Sequence, residues 1–87
     1  MSEQGFYAGR HYTEYVETVE ELKRNGDLDG AEKLLLSLVN ATEAESRAQN
    51  WGVAPWYYEQ LAIVYRKRGE QRNELAILER FSKKIFY

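Results

Sequence analysis

The sequence predicts an all-α fold of two stacked helix-turn-helix hairpins, four helices in all, and three observations carry that prediction. Apolar residues recur at spacings of three and four along four separate stretches, the mark of helices with one buried face. Gly26 and Gly69 fall between paired stretches, where a residue free to turn left-handed ends a helix without steric penalty. No stretch alternates apolar and polar residues over the length of a strand, so nothing reads as β.

Taken in order, residues 1–11 hold two glycines and several aromatics without a period, and they read as an extended arm that packs through Phe6 and Tyr7. Over residues 12–24, Tyr12, Tyr15, Val16, Val19 and Leu22 share one helical face, and Thr13 is placed to cap its start. Asn25-Gly26 ends that helix, and Asp27 supplies the next N-cap. The second helix carries Leu28, Ala31, Leu34, Leu35, Leu38, Val39, Ala41 and Ala44 to about residue 48. Residues 50–54 are the interior loop, and Pro55 suits a first helical turn, where its missing N–H costs nothing. Tyr58, Leu61, Ala62 and Tyr65 form the inward stripe of the third helix. Gly69 closes it, and a fourth helix carries Leu75, Leu78, Phe81 and Ile85 to the C-terminus. The organisation is an arm over 1–11 and one domain over 12–87, with hairpins at about 12–49 and 55–84.

At 87 residues the chain is one domain at most, and chains of this size bury only about 60–65% of their unfolded surface. With 44% hydrophobic and 30% charged residues and a single proline, it lies outside the disordered, collagenous and low-complexity classes. The absence of cysteine excludes a disulfide framework, a thiolate metal site and a cysteine nucleophile, and it fits a reducing interior. No apolar run approaches the roughly 20 residues of a membrane span. Met1-Ser2-Glu3-Gln4-Gly5 lacks the basic and apolar regions of a signal peptide. A soluble, cytoplasmic protein without membrane contact is expected. Residues 1–48 carry −5 and residues 49–87 carry +3, giving the chain its −2. That balance argues against free nucleic-acid binding, and it allows head-to-tail contact between copies.

The two halves superimpose at a shift of 43 residues, which sets Tyr15 on Tyr58, Leu22 on Tyr65, Gly26 on Gly69, Leu35 on Leu78 and Leu38 on Phe81. Each half is a unit that cannot bury its apolar face alone and stacks on its neighbour. The second half resembles a tetratricopeptide repeat, because Tyr58-x-x-Leu61-Ala62-x-x-Tyr65 stands where that family has Trp-x-x-Leu-Gly-x-x-Tyr. In the first half Tyr15, Thr18, Val19 and Leu22 fill those slots, and Ala31 supplies the small residue of the second helix. The equivalent small-residue slot in the second half is Glu74, so no further repeat is expected to pack there. The spacing of 43 exceeds the family's usual 34 or so, as in long-repeat variants whose second helix is extended. The resemblance covers about residues 12–84.

Little in the sequence supports chemistry. Asn25, Asp27, Asp29 and Gly30 begin like a calcium loop, but Leu36 stands where the bidentate carboxylate should be, so a turn with an N-cap accounts for them. His11 is the only histidine and has no thiol to share a metal with. Glu14, Glu17, Glu20 and Glu21 lie on a solvated helical face without a paired base. No phosphate loop, nucleophile elbow or His-Glu-x-x-His pair occurs. No enzyme activity, catalytic residue, metal or cofactor is expected.

A contact surface remains. The tetratricopeptide resemblance implies that the first helix of each hairpin lines a concave face that binds a peptide or partner helix. By position this selects Val16, Lys23 and Arg24 with Trp56, Ile63, Arg66 and Lys67: apolar anchors beside cations suited to a carboxylate or an acidic helix. Two repeats fall short of the three or more of a stable solenoid. Homodimerisation through an outward patch of Ile77, Phe81, Ile85 and Phe86 would supply the missing cover. The function expected is that of a non-catalytic protein-interaction module that binds a partner peptide or helix, self-associates, or both. The alternative is a nucleic-acid accessory protein that sets Arg66, Lys67, Arg68, Arg72, Lys83 and Lys84 on phosphates, with Trp56 or Tyr57 as a stacking surface.

Overall fold

The computed structural model describes residues 4–49 and 52–84. Within them lie a small β-hairpin of β1 (Phe6–Tyr7) and β2 (Arg10–His11), a 3-10 turn at Tyr12–Tyr15, and four helices. The helices are α1 (Val16–Arg24), α2 (Leu28–Gln49), α3 (Pro55–Lys67) and α4 (Gln71–Lys84). The molecule measures 37 × 28 × 14 Å. Its thin dimension is that of two helix layers about 9 Å apart.

Both hairpins turn in the same way. Gly26 N–H donates to Lys23 O at 3.1 Å and Asp27 N–H to Leu22 O at 2.9 Å, while Gly69 N–H donates to Arg66 O at 3.0 Å and Glu70 N–H to Tyr65 O at 2.9 Å. These paired bonds satisfy the last carbonyls of α1 and α3, and they require the left-handed φ of +76° and +72° that the two glycines adopt. Asp27 Oδ1 accepts the Gly30 N–H at 2.9 Å, which makes it the N-cap of α2 as the sequence implies. Pro55 occupies the first turn of α3.

The β-hairpin corrects the expectation that nothing reads as a strand. Phe6 pairs with His11 and Tyr7 with Arg10 in antiparallel register. Ala8 (φ 52°) and Gly9 (φ 85°) both lie at positive φ, the type I′ turn whose twist matches that of paired strands. Two residues per strand are too few for alternation to show in a sequence. The arm is fastened by its backbone: Tyr12 N–H donates to Gly5 O at 2.8 Å, and the Tyr15 hydroxyl donates to Tyr7 O at 2.6 Å. Gly5 is buried, and a Cβ there would lie 2.7 Å from Glu45 Oε2, so the arm approaches α2 this closely only through glycine. Phe6 and Tyr7, expected to anchor the arm, remain exposed and touch His11 and Tyr15 with ring centroids 5.5 and 5.6 Å apart. Thr13 is not the cap. His11 is, its Nδ1 accepting the Thr13 N–H.

The core joins Tyr12, Tyr15 and Val19 to Leu35, Leu38 and Val39 of α2 and to Tyr57, Tyr58, Leu61, Val64 and Tyr65 of α3, all buried. In α4 the buried face differs from the expected one. Ile77 is only 4% exposed, whereas Leu75 and Leu78 are 59% and 39% exposed; Phe81 is half-buried against Tyr58 at 5.2 Å between ring centroids. The overlay of Leu35 on Leu78 therefore does not extend to burial, since Leu35 is wholly enclosed. Ile85 lies outside the described residues.

Candidate functional site

The helices are held in register by three carboxylates of α2, each of which accepts a tyrosine hydroxyl and faces a basic side chain. Glu43, itself buried, accepts the Tyr58 hydroxyl at 2.7 Å and is bidentate with Arg80 of α4 at 2.8 and 2.9 Å. Arg80 also donates to Asn40 Oδ1 at 2.8 Å. Glu32 accepts the Tyr65 hydroxyl at 2.9 Å and Arg68 Nη2 at 2.6 Å, while Arg68 reaches Asp29 and Glu70 as well. Glu45 accepts the Tyr12 hydroxyl at 3.1 Å and lies 2.7 Å from His11 Nε2. On its other side His11 Nδ1 faces the Thr13 N–H and hydroxyl, so the ring ties the arm to α2 through Glu45.

These contacts set the protonation chemistry. Arg68, aided by the Tyr65 hydroxyl, holds Glu32 below the ordinary carboxylate range against its own burial. Burial pushes Glu43 upward, but the hydrogen bonds from Arg80 and Tyr58 outweigh it and leave this group lowered too. Burial, with the Glu32 contact adding, raises the Tyr65 hydroxyl to about 12. Burial beside Tyr12 raises Tyr57 to about 12, and burial with the Glu43 contact raises Tyr58 still further. The arginines thus hold Glu32 and Glu43 low and burial holds the tyrosine hydroxyls high, and these bonds tie the helices to one another.

The surface implied by the first helices is assembled in part. Val16, Glu20 and Lys23 follow one stripe of α1 at i, i+4 and i+7, and Trp56, Gln60, Ile63 and Lys67 follow one stripe of α3 at i, i+4, i+7 and i+11. Lys23 Nζ donates to Gln60 Oε1 and joins the two stripes. Below that bond Glu20, Lys23, Arg24 and Lys67 surround a depression of about 220 Å³. A second, of about 370 Å³, opens beside it over Val16, Glu17, Glu20, Glu21 and Arg24. Val16 is 37% exposed, and Ile63 and Trp56 are half-buried, with Trp56 set edge-on to Tyr57 at 4.9 Å. Arg66 does not join them. It turns to the other side of α3 and pairs with Glu74 of α4 at 2.6 Å, which also shows why a carboxylate stands in the small-residue slot.

Of the expected self-association patch, Ile77 is core and Phe81 is packed on Tyr58, while Ile85 and Phe86 lie outside the described residues. Within the basic set, Arg66 and Arg68 are consumed by carboxylates, and Lys67, Arg72, Lys83 and Lys84 carry no ion pair among the described residues. The described residues contain no group of three or more side chains that could hold a metal ion, and no described helix is long and apolar enough to cross a membrane. No family model, curated protein or solved structure matches the chain.

Proposed function

We propose that the protein is a non-catalytic interaction module that captures an acidic peptide segment or helix between α1 and α3. The observation that carries this reading is the meeting of Lys23, Arg24 and Lys67, with Glu20 the lone carboxylate, around one depression, on the same helical stripes that carry the apolar residues Val16, Ile63 and Trp56. Cations beside apolar anchors suit an amphipathic acidic segment, whose apolar face supplies affinity while its carboxylates set orientation and approach. The tetratricopeptide-like spacing of Tyr58 to Tyr65 supports the same use of the first helices. The nucleic-acid reading loses support because Arg66 and Arg68, the outer members of its central basic triplet, are already paired.

Selection from a displayed library of helical peptides tests the proposal. The immobilised protein should enrich peptides with carboxylates flanking an apolar anchor, and Lys23→Glu plus Lys67→Glu should weaken the selected peptide about ten-fold or more. No enrichment of acidic peptides, or binding indifferent to both reversals, would refute it. A stronger, steeply salt-dependent affinity for single-stranded DNA would favour the nucleic-acid reading.

A further inference from the structure

We infer that the outward face of α4 is a self-complementary docking surface on which a second copy of the chain sits antiparallel, related by a two-fold axis. Leu75 and Leu78 project there, the first the most exposed large apolar side chain among the described residues at 59%. On a helical wheel Gln71 and Ser82 fall between them and complete a narrow stripe, while Arg72, Glu79 and, at the far end, Lys83 flank it on one side. Neither Arg72 nor Glu79 has an ion pair among the described residues, although Arg66, Arg68 and Arg80 nearby are all paired.

The spacing decides the occupant. In an antiparallel two-fold pair of helices, residues on the same flank of each face meet across the axis. The midpoint between Leu75 and Leu78 and the midpoint between Arg72 and Glu79 fall within about one residue of each other, roughly 1.5 Å along the helix. One axis therefore sets Leu75 against the second copy's Leu78, and Arg72 beside its Glu79, each contact occurring twice. A flank on which Arg72 and Glu79 stand balanced about the leucines, with Lys83 one turn beyond Glu79 at the end of the helix, is matched by itself. This surface lies apart from the groove between α1 and α3, so a dimer would present two grooves.

A single helix pair belongs to the small, transient interface class, so dissociation on the order of 100 µM is expected. Sedimentation equilibrium of the whole chain should show the mass rising from 10.2 kDa toward twice that value as concentration increases from about 10 µM to about 1 mM. Leu75→Glu with Leu78→Glu should leave a monomer throughout, with unchanged helical circular dichroism. Arg72→Glu and Glu79→Arg should each weaken association about ten-fold or more, and the double swap Arg72→Glu/Glu79→Arg should restore it. A monomer at the highest concentration, association that survives the leucine changes, or a double swap that fails to rescue would overturn the inference. Selected-peptide binding measured on the leucine variants reads the groove separately, since both α1 and α3 are untouched.

Discussion

The two hairpins share one turn and differ in what their second helices bury. α2 lies against both α1 and α3 and turns Ala31, Leu35, Leu38 and Val39 wholly inward. α4 rests mainly on α3, with Ile77 as its one fully buried apolar side chain among the described residues, while Arg80 and Glu74 of the same helix are committed to ion pairs. A helix between two neighbours is held by apolar burial. A helix at the end of the stack adds polar bonds to a buried Ile77 and a half-buried Phe81 and keeps leucines in contact with water. Repetition of the turn therefore does not imply repetition of the core.

The sharpest break in this comparison comes from truncating leucines. Leu38→Ala should cost about 2–5 kcal/mol, the range for a fully enclosed leucine, whereas Leu75→Ala should stay within about 0.5 kcal/mol. Urea unfolding at low micromolar concentration measures both, and equal costs would mean that α4 is packed like α2. Next in size, Glu43→Ala should cost about 2–3 kcal/mol, because it leaves the Arg80 guanidinium and the Tyr58 hydroxyl without their shared acceptor. A loss below about 0.5 kcal/mol would show that α4 does not depend on that bond.

The turns should respond alike. Gly26→Ala and Gly69→Ala each force a Cβ into left-handed backbone, with no heavy atom within 4 Å of either site to add a clash, so each should cost about 1 kcal/mol. Costs that differ several-fold would break the equivalence of the two turns. The smallest effect concerns pH. Glu32 and Glu43 are lowered in the folded chain, so their contribution is complete above the ordinary value of 4.5 and is lost as pH falls below it. Thermal melting should be flat down to about pH 5 and decline below that, with a shallower decline in Glu43→Gln. The tyrosines 12, 57, 58 and 65 are raised from 10.0, so their contribution is present below pH 10 and is lost as pH rises above it.

The helices, both glycine turns, the Asp27 cap and the Pro55 start were legible in the sequence because local rules govern them: apolar period, left-handed glycine, side-chain oxygen, missing N–H. The phase of α4 was not. Hydrophobicity alone turns Leu75 and Leu78 inward, but that rotation would swing Arg80 away and leave Glu43 enclosed without a cation. Burying an unpaired carboxylate costs more than exposing two leucines, so the polar bond sets the rotation. The available signal was that Glu32 and Glu43 lie on the same stripe of the second helix as Ala31, Leu35 and Val39, and that buried tyrosines 58 and 65 require acceptors. The β-hairpin was hidden for a different reason. Its turn is Ala8-Gly9, lacking the Asn or Asp that usually announces a type I′ turn, and its ladder is only two residues long. For the binding surface, the stripes of the first and third helices were legible, while the diversion of Arg66 depended on Glu74, a contact between helices that no spacing rule reveals.

Amide chemical-shift mapping with an acidic peptide selected on the protein tests the central claim most directly. Perturbations clustered at Val16, Glu20, Lys23 and Arg24 together with Trp56, Gln60, Ile63 and Lys67 are the predicted result. Perturbations confined to the outward side of α4 or to the N-terminal arm would contradict it.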